Sequence, residues 1–388
     1  MNNTVLSAGV EKKVNYQFKI VYAMLMFCVL CGHLGIVENF VPWTELFSVY
    51  GFGIQLFLFV SGYFYSSKND CNLLNFTVKK VKKLLVPYFL WNVFYGVVCF
   101  GLVRLGFSIV VPLSFESLVV KPILGIPVFF FNSPTWFIIP FFLAEVFTVF
   151  ERFLLSKWNS YKKDIVIMTV NFLISFAGIY LAKKYVSETG YVIPRLCSLT
   201  RAMFMLPYFS LGYIYKTYLE KKDNLPSRWY FLILILLGVL YILFNGHTSS
   251  YFVVIMGGFE NPITPMIVSL LGIAFYLRIA RVLTPVIGKS KWVIAIGDNT
   301  FAIMIHHMLG FFILELILLV CSKVLPFLPS FDMDQFMTDA NYRYMPRGRG
   351  FPLVYVIFGL FFSIYFQKLI NFIKTKIVKK IFAKKEIA

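Results

Sequence analysis

"KIVYAMLMFCVLCGHLGI" occupies residues 19–36, and its reading decides the fold. Between Lys19 at one end and His33 near the other, the run is almost wholly apolar. A run of about 20 such residues is the length of a helix that crosses a bilayer. The stretch before it, "EKKVNYQFK" (11–19), is basic, and no small-residue cleavage site follows. An uncleaved first span is therefore expected, not a signal peptide.

The rest of the chain repeats the pattern. Of its 388 residues 59% are hydrophobic, 45 are Phe, and the mean hydropathy is +0.76. Only 14% are Asp, Glu, Lys or Arg, against about 25% in soluble domains. A soluble fold of this length cannot hide so much apolar surface, so lipid must be the solvent for much of it. Ten apolar stretches stand out, near 19–36, 47–65, 84–103, 134–153, 164–182, 195–215, 229–245, 262–280, 300–320 and 351–371. The predicted fold is an all-α polytopic membrane protein of about ten transmembrane helices. It forms a single membrane domain over 1–388, with cytoplasmic tails at 1–18 and 372–388.

Charge sets the expected orientation. With the N-terminus inside, the inner segments (1–19, 66–83, 151–164, 216–228, 278–291 and 367–388) hold 27 of the 37 Lys and Arg residues. The outer ones hold 10. This asymmetry follows the positive-inside rule and places both termini in the cytoplasm. It also explains the net charge of +19 without a nucleic-acid partner. The runs "VKKVKK" (78–83) and "KTKIVKK" (374–380) read as contacts with anionic lipid. Two long connections remain, both outside in this topology. "KPILGIPVFFFNSPTW" (121–136) is expected to dip into the interface as a re-entrant segment. "FDMDQFMTDANYRYMPRGRG" (331–350) is either a surface for a hydroxyl-rich ligand or a solvated loop.

Cys28, Cys31 and His33 invite a metal or redox reading, which helical phase argues against. At about 100° per residue the two thiols share a face, while His33 lies about 140° from one and 200° from the other. The remaining cysteines are scattered, so no metal site is expected and all six read as small apolar fillers. His33 is different, because titratable groups inside a span are functional candidates. Tyr22 lies about 20° from it around the helix and about 16 Å along it; Lys19 lies about 40° away and about 21 Å along. One stripe thus carries a cation, a phenol and an imidazole, suited to a ligand that is anionic at one end and reactive at the other. The plainer alternative is a packed histidine with Lys19 snorkelling to lipid phosphates. Glu145 and Glu315 also lie within apolar spans. Each needs a partner, with His33, Arg201 and His307 as the possibilities.

Further segments carry a resemblance. They are "GIQLFLFVSGYFYSS" (53–67), "VKKLLVPYFLWNVFYG" (81–96), "TWFIIPFFLAEVF" (135–147), "LPYFSLGYIYK" (206–216) and "IGDNTFAIMIHHMLGFFI" (296–313). In this order and spacing the chain resembles the acyltransferase-3 family, ten-helix membrane proteins that O-acylate surface polysaccharides. That family places a basic residue, ten intervening residues and then a catalytic histidine in its first span. His33 matches the histidine. The basic position falls on Tyr22, a departure from the pattern, and Lys19 one turn earlier is the available cation. "FVSGYF" matches at Ser61, Gly62 and Tyr63, "VPYFLW" at Pro87, Tyr88 and Trp91, and "TWF" at Trp136. Of the two late histidines His307 takes the family position, and His306 falls where an aliphatic residue is usual.

These positions have bland readings as well. Ser61 and Gly62 permit close helix contact, and Trp91 and Trp136 suit an interfacial belt. The resemblance implies an O-acetyltransferase of the cytoplasmic (inner or plasma) membrane. Its donor would be acetyl-CoA or another acyl-CoA as co-substrate, with no bound cofactor. Its acceptor would be a sugar hydroxyl of a cell-surface glycan or lipid-linked precursor. Lys19, Tyr22, Lys82 and Lys83 are the donor-binding candidates. The rivals are a polysaccharide exporter or flippase without acyl chemistry, and a membrane scaffold or sensor.

Overall fold

The computed structural model describes residues 14–36, 49–109, 112–185, 194–245, 251, 253–254, 256–259, 261–325, 331–345 and 351–385. The N-terminal segment 1–13, part of the 321–350 connection (326–330 and 346–350) and the last three residues lie outside the described residues. Among the described residues the chain is all-helical, with no β-strand.

The helices are α1 (Tyr16–His33), α2 (Val49–Tyr63), α3 (Leu73–Arg104), α4 (Ile138–Leu154), α5 (Ser160–Lys184), α6 (Pro194–Ile214), α7 (Ser227–Asn245), α8 (Thr264–Ile287), α9 (Lys291–Asp298), α10 (Thr300–Ser322), α11 (Met333–Thr338) and α12 (Pro352–Lys385). Seven are long and apolar enough to cross a membrane: α1, α3, α5, α7, α8, α10 and α12. The other three expected stretches are helical too. However, α2 has 15 residues and α4 has 17, while α6 carries Arg201 among its apolar residues.

Boundaries follow local chemistry. α1 begins three residues before the expected Lys19, because the Asn15 side chain accepts a bond from the Phe18 amide and caps the first turn. It ends at His33, and Gly35 just beyond takes a φ of +67°, a left-handed conformation open to glycine. In α3 the backbone widens into a π turn at Val81–Leu85. Pro87 explains this: with no N–H it cannot bond the carbonyl four residues back, so the ladder shifts register there.

Two packing centres organise the bundle. α1 packs against α2, α8, α9, α10 and α12. α6 packs against α2, α4 and α5, so α2 joins the two groups. The α2–α6 contact is backbone to backbone. A Cβ on Gly62 would lie 1.9 Å from the Phe209 carbonyl oxygen, and one on Gly212 1.9 Å from that of Phe59. Small residues let apolar helices approach this closely in lipid, where packing must replace the hydrophobic drive.

The connection after α3 is folded into the protein. Phe129, Phe131, Asn132 and Thr135 are buried, and the 3-10 helix Phe130–Phe137 packs on α3 and α10. Asn132 donates to the Asn92 side-chain oxygen (3.1 Å), and Asn92 donates to the Leu118 carbonyl (3.0 Å), while the Asn132 side-chain oxygen has no partner among the described residues. Irregular backbone survives at depth when it is buried in protein and not exposed to lipid. The described part of the 321–350 connection is also packed. Arg343 is buried and donates to the Phe336 (3.0 Å) and Met337 (2.6 Å) carbonyls, and Phe336 sits among Phe107, Phe312 and Phe331.

Candidate functional site

The two ends of α1 carry different chemistry. At its first turns Asn15, Tyr16, Phe18, Lys19 and Tyr22 line a cavity of about 310 Å³ with Phe64, Ile294 and Asp298. The Lys19 ammonium donates to the Asp298 carboxylate. Asp298 reaches it because α9 lies against α1: a Cβ on Gly297 would meet the Lys19 carbonyl oxygen at 2.9 Å. Among the described residues the cavity therefore holds one cation and one anion, already paired. Lys82 and Lys83 are exposed on the π turn of α3 and do not line it.

Tyr22 leads inward from the cavity. Its ring stacks on Phe57 (5.9 Å between centroids), Phe57 stacks on Phe137 (6.4 Å), and Phe137 meets Trp136 edge-on (5.8 Å). The Arg201 guanidinium covers Trp136 at 4.8 Å and donates to the Gly125 (2.7 Å) and Val254 carbonyls. A ladder of rings thus joins Tyr22 to Arg201.

Beside it, Glu145 is fully buried on α4. It accepts from the Ser61 hydroxyl and the Lys80 ammonium. Its hydrogen bonds therefore come from Ser61 and Lys80, not from His33, Arg201 or His307. Glu315 accepts from Tyr355 (2.8 Å). Burying a carboxylate in a bundle requires such donors, and Lys80 supplies the charge from a run in which four lysines look alike.

At the other end of α1, His33 is half-buried and meets His307 of α10, ring centroids 5.0 Å apart at a 41° tilt. His307 is fully buried; its Nδ1 lies 2.8 Å from the Ile303 carbonyl oxygen, and its Nε2 has no partner among the described residues. Its neighbour His306 is engaged at both nitrogens, Nδ1 with the Tyr95 hydroxyl (2.7 Å) and Nε2 with Gln367 (3.0 Å), and Trp91 closes on its edge (4.3 Å). Trp91 thus belongs to the His306 contact. Tyr88 donates to the Pro122 carbonyl (3.1 Å), and Tyr63 donates to Glu220 (2.6 Å) while packing on Phe18 (4.2 Å). Cys28 and Cys31 are buried free thiols. Among the described residues no three His, Cys, Asp or Glu side chains cluster in a way that could hold a metal ion.

A second polar cluster binds α4 and α5 to the α2–α3 connection. Arg152 bridges Asp70 (2.9 Å) and Asp164 (2.7 Å), and Lys163 bonds Asp70 (2.7 Å). Tyr65 and Tyr218 donate to the two carboxylates (2.8 and 2.7 Å).

Three residues escape a reading of the sequence. Asp298 and Lys80 sit in stretches that read as connections between spans. Gln55 lies in an apolar helix, fully buried, with neither amide atom partnered among the described residues. Its burial is visible only in the folded structure.

Residues 15–320, most of the chain, match the family model for the acyltransferase-3 group, described as an acyltransferase domain. No curated protein and no solved structure matches the chain.

Proposed function

Because the chain belongs to the acyltransferase-3 family, a group of membrane acyltransferases, we propose that it O-acylates a sugar hydroxyl of a cell-surface glycan or its lipid-linked precursor. The donor is a cytoplasmic acyl-CoA, with acetyl-CoA favoured. The observation that carries this reading is the layout of α1. Lys19 lines a cavity at one end, and His33 lies beside a second imidazole at the other. A donor with anionic phosphates, a long thin arm and a terminal thioester matches that polarity.

In this reading the Lys19 end faces the cytoplasm. Lys19 exchanges Asp298 for a donor phosphate and holds it as a point charge. The arm runs past Tyr22 along the ring ladder, and the thioester arrives near His33. A neutral His33 takes the proton of the acceptor hydroxyl while its oxygen attacks the thioester carbonyl. The carbon–sulfur bond breaks, and the departing thiolate recovers the proton from His33. General-base help of this kind contributes about 10²- to 10⁴-fold in rate.

The test is His33→Ala in the full-length chain. The variant should reach the membrane at the normal level while mass spectrometry finds the glycan without its acyl ester. Unchanged ester content would remove His33 from the chemistry. Intact ester with less glycan at the surface would favour export.

A further inference from the structure

We propose that His307 positions His33 by accepting a hydrogen bond from it, so that the two imidazoles form a relay anchored on the Ile303 carbonyl. The inference rests on the acyl-transfer reading of His33 and adds the residue that sets its tautomer.

The more buried ring, that of His307, fixes its own tautomer. A carbonyl oxygen only accepts, so the 2.8 Å contact to Ile303 requires the hydrogen of His307 on Nδ1. In a neutral imidazole the other nitrogen is then an acceptor. That nitrogen, Nε2, is buried and has no partner among the described residues. A buried acceptor without a donor is unfavourable in proteins and needs an explanation. The imidazole of His33 is the donor that the geometry offers. A centroid separation of 5.0 Å lets one nitrogen of each ring meet at about 2.7–3.2 Å when both point along the line between the rings. Phe311 packs on the other ring at 5.6 Å and limits its freedom.

The consequence for His33 is a fixed tautomer. With one N–H given to His307, its other nitrogen keeps a lone pair. His33 is the more exposed of the two residues, and in this proposal its free lone pair is the one that meets the substrate hydroxyl. When His33 takes the proton, the resulting imidazolium is held by its bond to His307 Nε2. No proton needs to pass inward, and the one gained leaves with the thiolate. His307 acts through His33 and does not touch the reacting atoms. The adjacent His306 supplies an internal contrast, since Tyr95 and Gln367 already engage both of its nitrogens.

Two measurements on the full-length chain in nanodiscs test this. The first is the imidazole nitrogen spectrum of ¹⁵N-histidine-labelled protein, assigned by replacing each histidine in turn. The expected result is His307 protonated on Nδ1, with an Nε2 signal that moves in His33→Ala. Protonation on Nε2, or a signal indifferent to His33, overturns the proposal. The second follows thiol released from acetyl-CoA. His307→Ala should lower kcat about tenfold or more with KM for acetyl-CoA within about twofold, and His307→Gln, which keeps an acceptor oxygen, should recover part of it. Combining His307→Ala with His33→Ala should be no slower than His33→Ala alone. Independent losses, or no rescue by Gln, overturn the relay. Wild-type protein that releases no thiol breaks the acyl-transfer reading instead, and the nitrogen spectra then decide the histidine pair by themselves.

Discussion

Two buried polar clusters in this molecule are built on opposite principles. Around Arg152 every charge is answered: Asp70 and Asp164 share the guanidinium, Lys163 adds a second cation, and Tyr65 and Tyr218 fill remaining acceptor sites. Around His33 the inventory stays open, since the Nε2 atom of His307 is buried without a partner among the described residues. A satisfied network holds elements in place, and any further ligand would have to displace something. An unsatisfied one has binding capacity left over. The first cluster reads as a clasp between α4, α5 and the α2–α3 connection, the second as a place where something happens.

The contrast predicts which property each substitution damages. His33→Ala should reduce turnover by about 10²- to 10⁴-fold and leave the thermal midpoint of the purified protein unchanged. A large fall in that midpoint would make His33 a packing residue and erase the contrast. Arg152→Met should do the reverse. It strands Asp70 and Asp164 in the interior, a loss of about 3–5 kcal/mol, seen as a fall in folded protein after extraction. Adding Asp70→Asn and Asp164→Asn should restore much of it. If Arg152→Met folded normally but lost activity, the clasp would belong to the site.

Smaller effects sharpen the picture further. Gly212→Ala forces a methyl group against the Phe59 carbonyl, and should lower stability by about 1–3 kcal/mol through separation of α2 and α6. Thermal unfolding in detergent reads this directly. Lys19→Ala should raise KM for acetyl-CoA about tenfold, near 1.4 kcal/mol, with kcat little changed. Asp298→Asn should move KM the other way, because it removes the carboxylate that competes with phosphate for Lys19. Parallel changes in both variants would mean that the pair is structural, like the cluster around Arg152.

Much of this architecture is legible in the residues. Apolar run length marks the helices, and phase on a single helix places Lys19, Tyr22 and His33 along one stripe, because both depend only on local geometry. The same phase separates Cys28 and Cys31 from His33. Partners are another matter. Nothing in the spacing of Glu145 distinguishes Lys80 from Arg201, and nothing in the 331–345 stretch announces that Arg343 turns inward. The order of the helices around α1 and α6 decides both.

What the sequence by itself determined is the solvent, the helical class, the family and the polarity of α1, since composition, run length and motif order are properties of the chain alone. The tertiary structure alone decided which groups meet. It carried Asp298 from a connecting stretch to Lys19, Lys80 from a run of similar lysines to Glu145, and His307 rather than His306 to His33. The last case states the physical reason most simply. Consecutive residues on a helix point about 100° apart. Which of two adjacent histidines faces the first helix is therefore set by how α10 is rotated against α1, a property of the packed bundle and not of either segment.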